Sequence, residues 1–347
     1  MVDEAGDLTV LAPVGVGADP SDVVPVATPA VLVTPDARDA AWAKVRFGPD
    51  GWDRVLTALP ALRDDTAAVV VWNAVRDGVR DATLDPEQAL RIVEAALPGT
   101  GAEIVCAYVL GFALDQLAGV YAPVAERRSR VDRVGRVART LLDEAPSGSD
   151  RQLVAFRQVV RSEPDPERLR GWYAGQDLPA GVEPDPELVW SVVERWSAVA
   201  TGTDLLEDAL AHDPSASGQV HAARARARRP DPEAKEAAWR LLVEPSSVGA
   251  YELYATGEGF WDAEQDELTW PYVSRYFTEI GATARFREGW ALGQVATQAF
   301  PRTAARPEAL ALAEAALSTD LAAQVQRAVT DGTDRLRRAV GSLGRWA

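Results

Sequence analysis

Cysteine and histidine are nearly missing from this chain. Of its 347 residues one is cysteine, Cys106, and two are histidine, His212 and His221. A single cysteine excludes an internal disulfide and any cysteine-rich zinc site. Two histidines nine positions apart cannot form His-Glu-x-x-His, which needs both imidazoles one helical turn apart with a glutamate between them. Lysine is as scarce: Lys44 and Lys235 are the only two among 36 basic residues, and the rest are arginine. A Gly-x-Ser-x-Gly elbow, a P-loop and a Gly-x-Gly-x-x-Gly fingerprint after a strand are absent too, so no standard catalytic arrangement has an address here.

Positive charge is also in deficit. With 52 acidic against 36 basic residues the formal net charge is -16, and such a field repels phosphate backbones and anionic lipid. Nucleic acid and membrane are therefore not expected partners. No run approaches the roughly 18 uninterrupted apolar residues of a membrane helix. Met1-Val2-Asp3-Glu4 lacks the basic start of a secretory leader, and the expectation is a cytoplasmic protein. The 47% hydrophobic and 25% charged residues are the balance of a chain that folds. Cys106, inside Ile104-Val105-Cys106-Ala107-Tyr108-Val109-Leu110, reads as a core thiol.

What is present is mostly helical. Residues 1–47 form a β-rich segment, in which Leu8–Leu11, Val23–Val26 and Ala30–Val33 read as short strands. Ala41–Phe47 reads as a further strand or as the bridge to the first helix. From residue 48 to 347 the apolar period becomes helical. Ala67–Val79 places Val70, Val71, Ala74, Val75 and Val79 near one face. Asp85-Pro86-Glu87 starts a helix running to about Leu97, with proline at the first helical position and an acidic first turn. The signature recurs at Asp165-Pro166-Glu167, Asp185-Pro186-Glu187, Asp231-Pro232-Glu233 and Arg306-Pro307-Glu308. The expected architecture is all-α: an irregular HEAT-like α/α superhelix of about 15 to 18 helices, preceded by a few short strands.

Few residues stand out as a site. After Asp213-Pro214-Ser215, an alanine-rich helix would put Ser217, His221, Arg224 and Arg228 on one stripe, at i, i+4, i+7 and i+11. That stripe could hold an anion such as a peptide carboxylate; the plain alternative is solvated or paired surface arginine. His212, before Asp213-Pro214, reads as the end of a helix, where a cation suits the terminal carbonyls. Arg127, Arg128, Arg130, Arg133, Arg136 and Arg139 wind around their helix and read as solvated. Trp190, Trp196, Trp239, Trp261, Trp270 and Trp290 sit among apolar positions, and most of them read as packing anchors rather than a ligand cage.

Several separated segments, in order, resemble one family. Val31-Leu32-Val33-Thr34-Pro35-Asp36 followed by Trp42-Ala43-Lys44-Val45-Arg46-Phe47 is similar to the junction where zinc aminopeptidases of the aminopeptidase N family pass from a small β-sandwich into their C-terminal helical domain. Bacterial members usually have Asn where Thr34 stands and Tyr where Trp42 stands. Val71-Trp72-Asn73 with Arg80-Asp81, Ser147–Leu153, Asp213–Arg228, Pro230–Trp239 with Lys235, Pro271–Phe277 and Phe300-Pro301 look like helices of that domain in actinobacterial members. The resemblance runs from about residue 24 to the C-terminus.

The resemblance implies a domain that closes the substrate chamber of a zinc aminopeptidase. The Gly-x-Met-Glu-Asn and His-Glu-x-x-His motifs of the catalytic domain are absent, so no catalytic or metal residue carries over. Zinc would come only with a catalytic partner. Three readings follow: a non-catalytic domain offering a concave surface to peptide, with Ser217, His221, Arg224 and Arg228 as contacts; one chain of a split aminopeptidase whose partner chain is catalytic; or a general protein-interaction solenoid. The last expects the basic stripe to face outward or to be consumed by internal ion pairs.

Overall fold

A computed structural model describes residues 1–10 and 30–346. Among the described residues there are seventeen α-helices and no strand. Val2 pairs with Leu8 and Leu32 only as isolated bridges, while Val23–Val26 lie outside the described residues. The chain divides into two compact units, Met1–Ala113 and Leu114–Ala347.

The first unit holds α1 (Pro49–Ala58), α2 (Asp65–Arg80), α3 (Pro86–Ala96) and α4 (Glu103–Phe112). The α2 face read from the sequence is buried, and Trp72 joins it. Asp85 caps α3 by accepting from the Glu87 amide at 2.9 Å, with Pro86 in the first turn. Cys106 is buried as expected. Ala41–Phe47 forms no strand. Its neighbourhood is pinned to α2 by ion pairs, Arg38 to Asp64 at 2.7 Å and Lys44 and Arg46 to Asp81 at 2.6 and 3.0 Å. Trp42, between those pins, is 107% exposed.

The second unit contains α5 (Arg127–Glu144), α6 (Asp150–Ser162), α7 (Pro166–Tyr173), α8 (Pro186–Val199), α9 (Asp204–His212), α10 (Ala216–Arg228) and α11 (Pro232–Val243). It continues through α12 (Ala250–Phe260), α13 (Asp266–Thr269), α14 (Pro271–Glu279), α15 (Gly289–Gln298), α16 (Pro307–Ala316) and α17 (Ala323–Trp346). A π-helical stretch, Ala113–Val120, follows α4. Together Glu103–Val120 is long and apolar enough to cross a membrane, with a mean hydropathy of 1.5. Asp115 interrupts it and 56% of it is buried, so core packing accounts for the composition.

Alternate helices of this unit run in the same direction. Trp190 of α8 donates to Asp213 just before α10, and Glu194 four residues on meets His221 and Arg224. Ala198 shares Gln265 with Arg228, so the contacts advance together along both helices. α12 also approaches α10 and α15 closely. A Cβ on Gly259 would lie 2.3 Å from the Arg224 carbonyl oxygen, and one on Gly257 would lie 2.8 Å from the Gln298 backbone. These two glycines therefore allow α12 to touch both neighbours backbone to backbone. α7, α9, α11, α14 and α16 fill the intervals. Trp172 of α7 stacks edge-on against Phe156 of α6, and Trp239 of α11 packs against Phe260 and Tyr272.

One expectation fails, and one tryptophan departs from its fellows. Arg127 and Arg130 are buried, with only 4% and 7% of their side chains exposed. Arg127 donates to the carbonyl oxygens of Ala263 and Thr303 and to Asp266, and Arg130 to those of Leu117 and Tyr121. A guanidinium with five donors is buried when enough oxygens meet it. Trp290 is 76% exposed because it lies in the first turn of α15; Trp190, Trp196, Trp239 and Trp261 are buried as expected.

Candidate functional site

The four residues of the α10 stripe divide. Ser217 is exposed in the first turn. His221 stacks on Trp190 with ring centroids 5.4 Å apart and planes 9° from parallel, its Nδ1 2.8 Å from Glu194 and its Nε2 3.5 Å from Glu187. Arg224 bridges Glu194 and Glu258, both at 2.8 Å. Two of the four thus spend their donors on internal ion pairs. The bond to Glu194 lifts the His221 imidazole above its usual range; partial burial opposes this and the fields of Glu194 and Glu187 reinforce it. Burial works to raise the Glu194 carboxyl, but His221, Arg228 and Arg224 outweigh it and the carboxyl is lowered. His212 ends α9, as read from the sequence, with Nδ1 2.8 Å from the Asp208 carbonyl oxygen.

Arg228 differs from its stripe-mates. It closes α10, is half-buried, and has neither an ion pair nor a side-chain hydrogen bond among the described residues. Around it lies a belt of charge at the C-terminal ends of the parallel helices. Terminal carbonyls there lack helical partners and carry partial negative charge, which makes them acceptors for cations. Arg195 donates Nε to the Glu163 carbonyl oxygen beyond α6 and Nη1 to Glu264 at 2.6 Å. Arg302 donates to the carbonyl oxygens of Gly257, Gln298 and Trp261 and also to that of Glu258. Lys235, fully buried, gives Nζ to Ala227 at 2.6 Å and to Phe260 at 3.0 Å, joining the ends of α10 and α12. Burial, with Arg228 and Arg302 nearby and Asp262 opposing, pushes this amine down to about 7.

The segment after α12 threads through this belt. Glu264 meets Arg128 and Arg195, Asp266 meets Arg127 and Arg306, and Gln265 donates to Ala198 and Arg228 carbonyl oxygens at 3.2 and 2.8 Å. Asp262 accepts the Glu264 amide at 2.9 Å. Burial raises its carboxyl, but the charges of Arg228 and Arg195, the Glu264 amide and Lys235 together bring it down. Sequence reading missed Arg195, Asp262 and Arg302, and it marked Lys235 without assigning it a partner. The faint signals were a lone arginine inside the apolar α8 and one of only two lysines in an arginine-rich chain. No group of three or more metal-ligating side chains occurs among the described residues.

These features define an all-α protein whose one conspicuous polar feature is a belt of paired charges at its helix ends. Residues 32–338 match the ERAP1-like C-terminal domain. The chain belongs to that family. It is also 30% identical over 326 residues to an aminopeptidase N of Streptomyces lividans, an alignment covering 90% of this chain and 37% of the relative. The chain therefore spans a little over one third of the length of the relative it matches.

Proposed function

We propose that this chain is a non-catalytic C-terminal domain of aminopeptidase N type that offers a concave surface to peptide and closes the chamber of a zinc aminopeptidase. In this reading residues 48–347 form an α/α superhelix and residues 1–47 are the edge of a β-sandwich. The catalytic domain and its zinc lie outside this sequence, on the same polypeptide or on a partner chain. What supports this reading is the match of residues 32–338 to the ERAP1-like C-terminal domain and the likeness to an aminopeptidase N of Streptomyces lividans. Of the α10 stripe, Ser217 and Arg228 are the members left with capacity for a ligand.

The purified chain is the test. It is expected to bind short peptides in a calorimetric or NMR titration, to carry no stoichiometric zinc and to leave aminoacyl-amide substrates intact. Zinc at one equivalent together with hydrolysis overturns the non-catalytic part, and failure to bind any peptide overturns the peptide part. The interaction-solenoid reading is favoured on one point, the consumption of His221 and Arg224 by Glu194 and Glu258. It expects a folded protein partner and no affinity for short peptides.

A further inference from the structure

We infer that His221 is a pH-operated tie between α10 and the first turn of α8: the proton on its Nε2 holds Glu187, and loss of that proton sets the turn free. The tie works independently of any peptide.

The imidazole is held in one orientation. Its ring stacks on Trp190, with centroids 5.4 Å apart and planes 9° from parallel, and the indole is itself fixed by Nε1 donating to Asp213 at 2.8 Å. Held this way, Nδ1 lies 2.8 Å from Glu194 and Nε2 lies 3.5 Å from Glu187. Burial raises the Glu194 carboxyl, but His221, Arg228 and Arg224 outweigh it and keep the group ionised. An ionised carboxylate only accepts, so the 2.8 Å contact requires a proton on Nδ1. Arg224 Nη1 donates to the same Glu194 oxygen at 2.8 Å. The proton that comes and goes is therefore the one on Nε2, the nitrogen that faces Glu187.

The two ends of the tie are unequal. Glu187 and Glu194 sit about two turns apart on α8, and Glu194 keeps the Nδ1 proton and Arg224 whatever the state of Nε2. Glu187, in the first turn, has 66% of its side chain exposed and meets α10 through Nε2. Without its proton Nε2 turns a lone pair toward the carboxylate, the contact becomes repulsive, and Glu187 moves into water. Asp185 still accepts the Leu188 amide at 2.7 Å, so α8 loosens at its start and does not unwind. The other charges around the ring are Arg224 on α10 and Asp213 before it. α12 reaches it through Glu258 on Arg224, α9 carries the paired His212 and Asp208, and α11 meets α10 through Lys235 at Ala227. The Glu194 bond lifts the imidazole against burial, with the fields of Glu194 and Glu187 reinforcing it and Arg224 opposing, so the change falls above the ordinary histidine range.

Ring 15N shifts of the whole chain, followed by NMR against pH, test the assignment of the proton without any variant. Above the midpoint Nε2 is expected to be the bare nitrogen of His221; a bare Nδ1 overturns the tie. Hydrogen exchange tests the release. The Trp190 and Ser191 amides, whose helical acceptors are four residues back in the first turn, are expected to exchange about two- to fivefold faster on crossing the midpoint. That factor is the worth of one partly exposed ion pair, and it comes in addition to the hydroxide catalysis that acts on every amide. The Thr256 amide of α12 should show no such step. Glu187→Gln, a change at an exposed side chain, is expected to lower the His221 midpoint and to abolish the step. A step that survives Glu187→Gln, or a wild type without one, overturns the inference.

Discussion

Arg195 donates its Nε to the carbonyl oxygen of Glu163 at 2.7 Å, so a guanidinium near the end of α8 closes the end of α6 before it. The same side chain bridges to Glu264. Arg195→Met removes both bonds, leaving the Glu163 carbonyl oxygen without this donor and Glu264 with Arg128 alone. A loss of about 3 kcal/mol is expected, read from urea unfolding; a loss below about 0.5 kcal/mol would show that the closure contributes little.

The contact of α10 with α12 depends on a missing side chain. Gly259→Ala drives a methyl group to 2.3 Å from the Arg224 carbonyl oxygen. The helices must part, at a cost of about 1–3 kcal/mol. Gly171 in α7 has open space around its Cβ position. Gly171→Ala should therefore be neutral or stabilising by up to about 1 kcal/mol. Equal melting shifts for the two variants would refute the close-approach account.

Lys235 should couple stability to pH. Its folded pKa is lowered to about 7 from 10.5, so between those values the unfolded chain holds a proton that the folded chain has released. Stability from this group then rises with pH across that window and is lost as pH falls through about 7. Asp262 opposes the shift, and Arg228 and Arg302 strengthen it. Lys235→Met is expected to flatten this part of the stability–pH curve. It should also lower stability at neutral pH, because the Ala227 and Phe260 carbonyl oxygens lose their donor.

His221 has the opposite sign. Its folded pKa is raised, so its contribution is complete below the unfolded value of about 6.5 and disappears as pH rises through the folded value. Melting temperatures of wild type minus His221→Gln should decline over that interval. With two histidines in the chain, the imidazole C–H signals in NMR can be assigned with this one variant. A midpoint at or below about 6.5 would contradict the Glu194 pairing.

Helix starts were the most legible part of the fold. Asp85, Asp165, Asp185 and Asp231 each accept a backbone amide in front of a proline, and this chemistry is complete within a few residues. Arg127 was illegible for the converse reason. It lies in a run of arginines that winds around α5, and its acceptors Ala263, Asp266 and Thr303 are more than a hundred residues away. Trp290 misled because residue type says apolar while position within the first turn of α15 says solvent. In the candidate site, the α10 stripe was visible from spacing. That Glu194 and Glu258 take His221 and Arg224, and leave Arg228, depends on two neighbouring helices whose register no local pattern encodes.

The bond from Arg127 to Thr303 spans 176 residues. Most other ties in the second unit join helices close in sequence, and units stacked in that way can nucleate at several places and fray from either end. A link of this span closes a very long loop, and the entropy of closure grows only slowly with length. Such a link forms late and, once formed, holds the start of α5 to the chain beyond α15. Arg127 is therefore expected to add to the cooperativity of the unit's unfolding, together with Arg128 bound to Glu264: without Arg127, hydrogen exchange should accelerate in α5 before it does in α10 and α12.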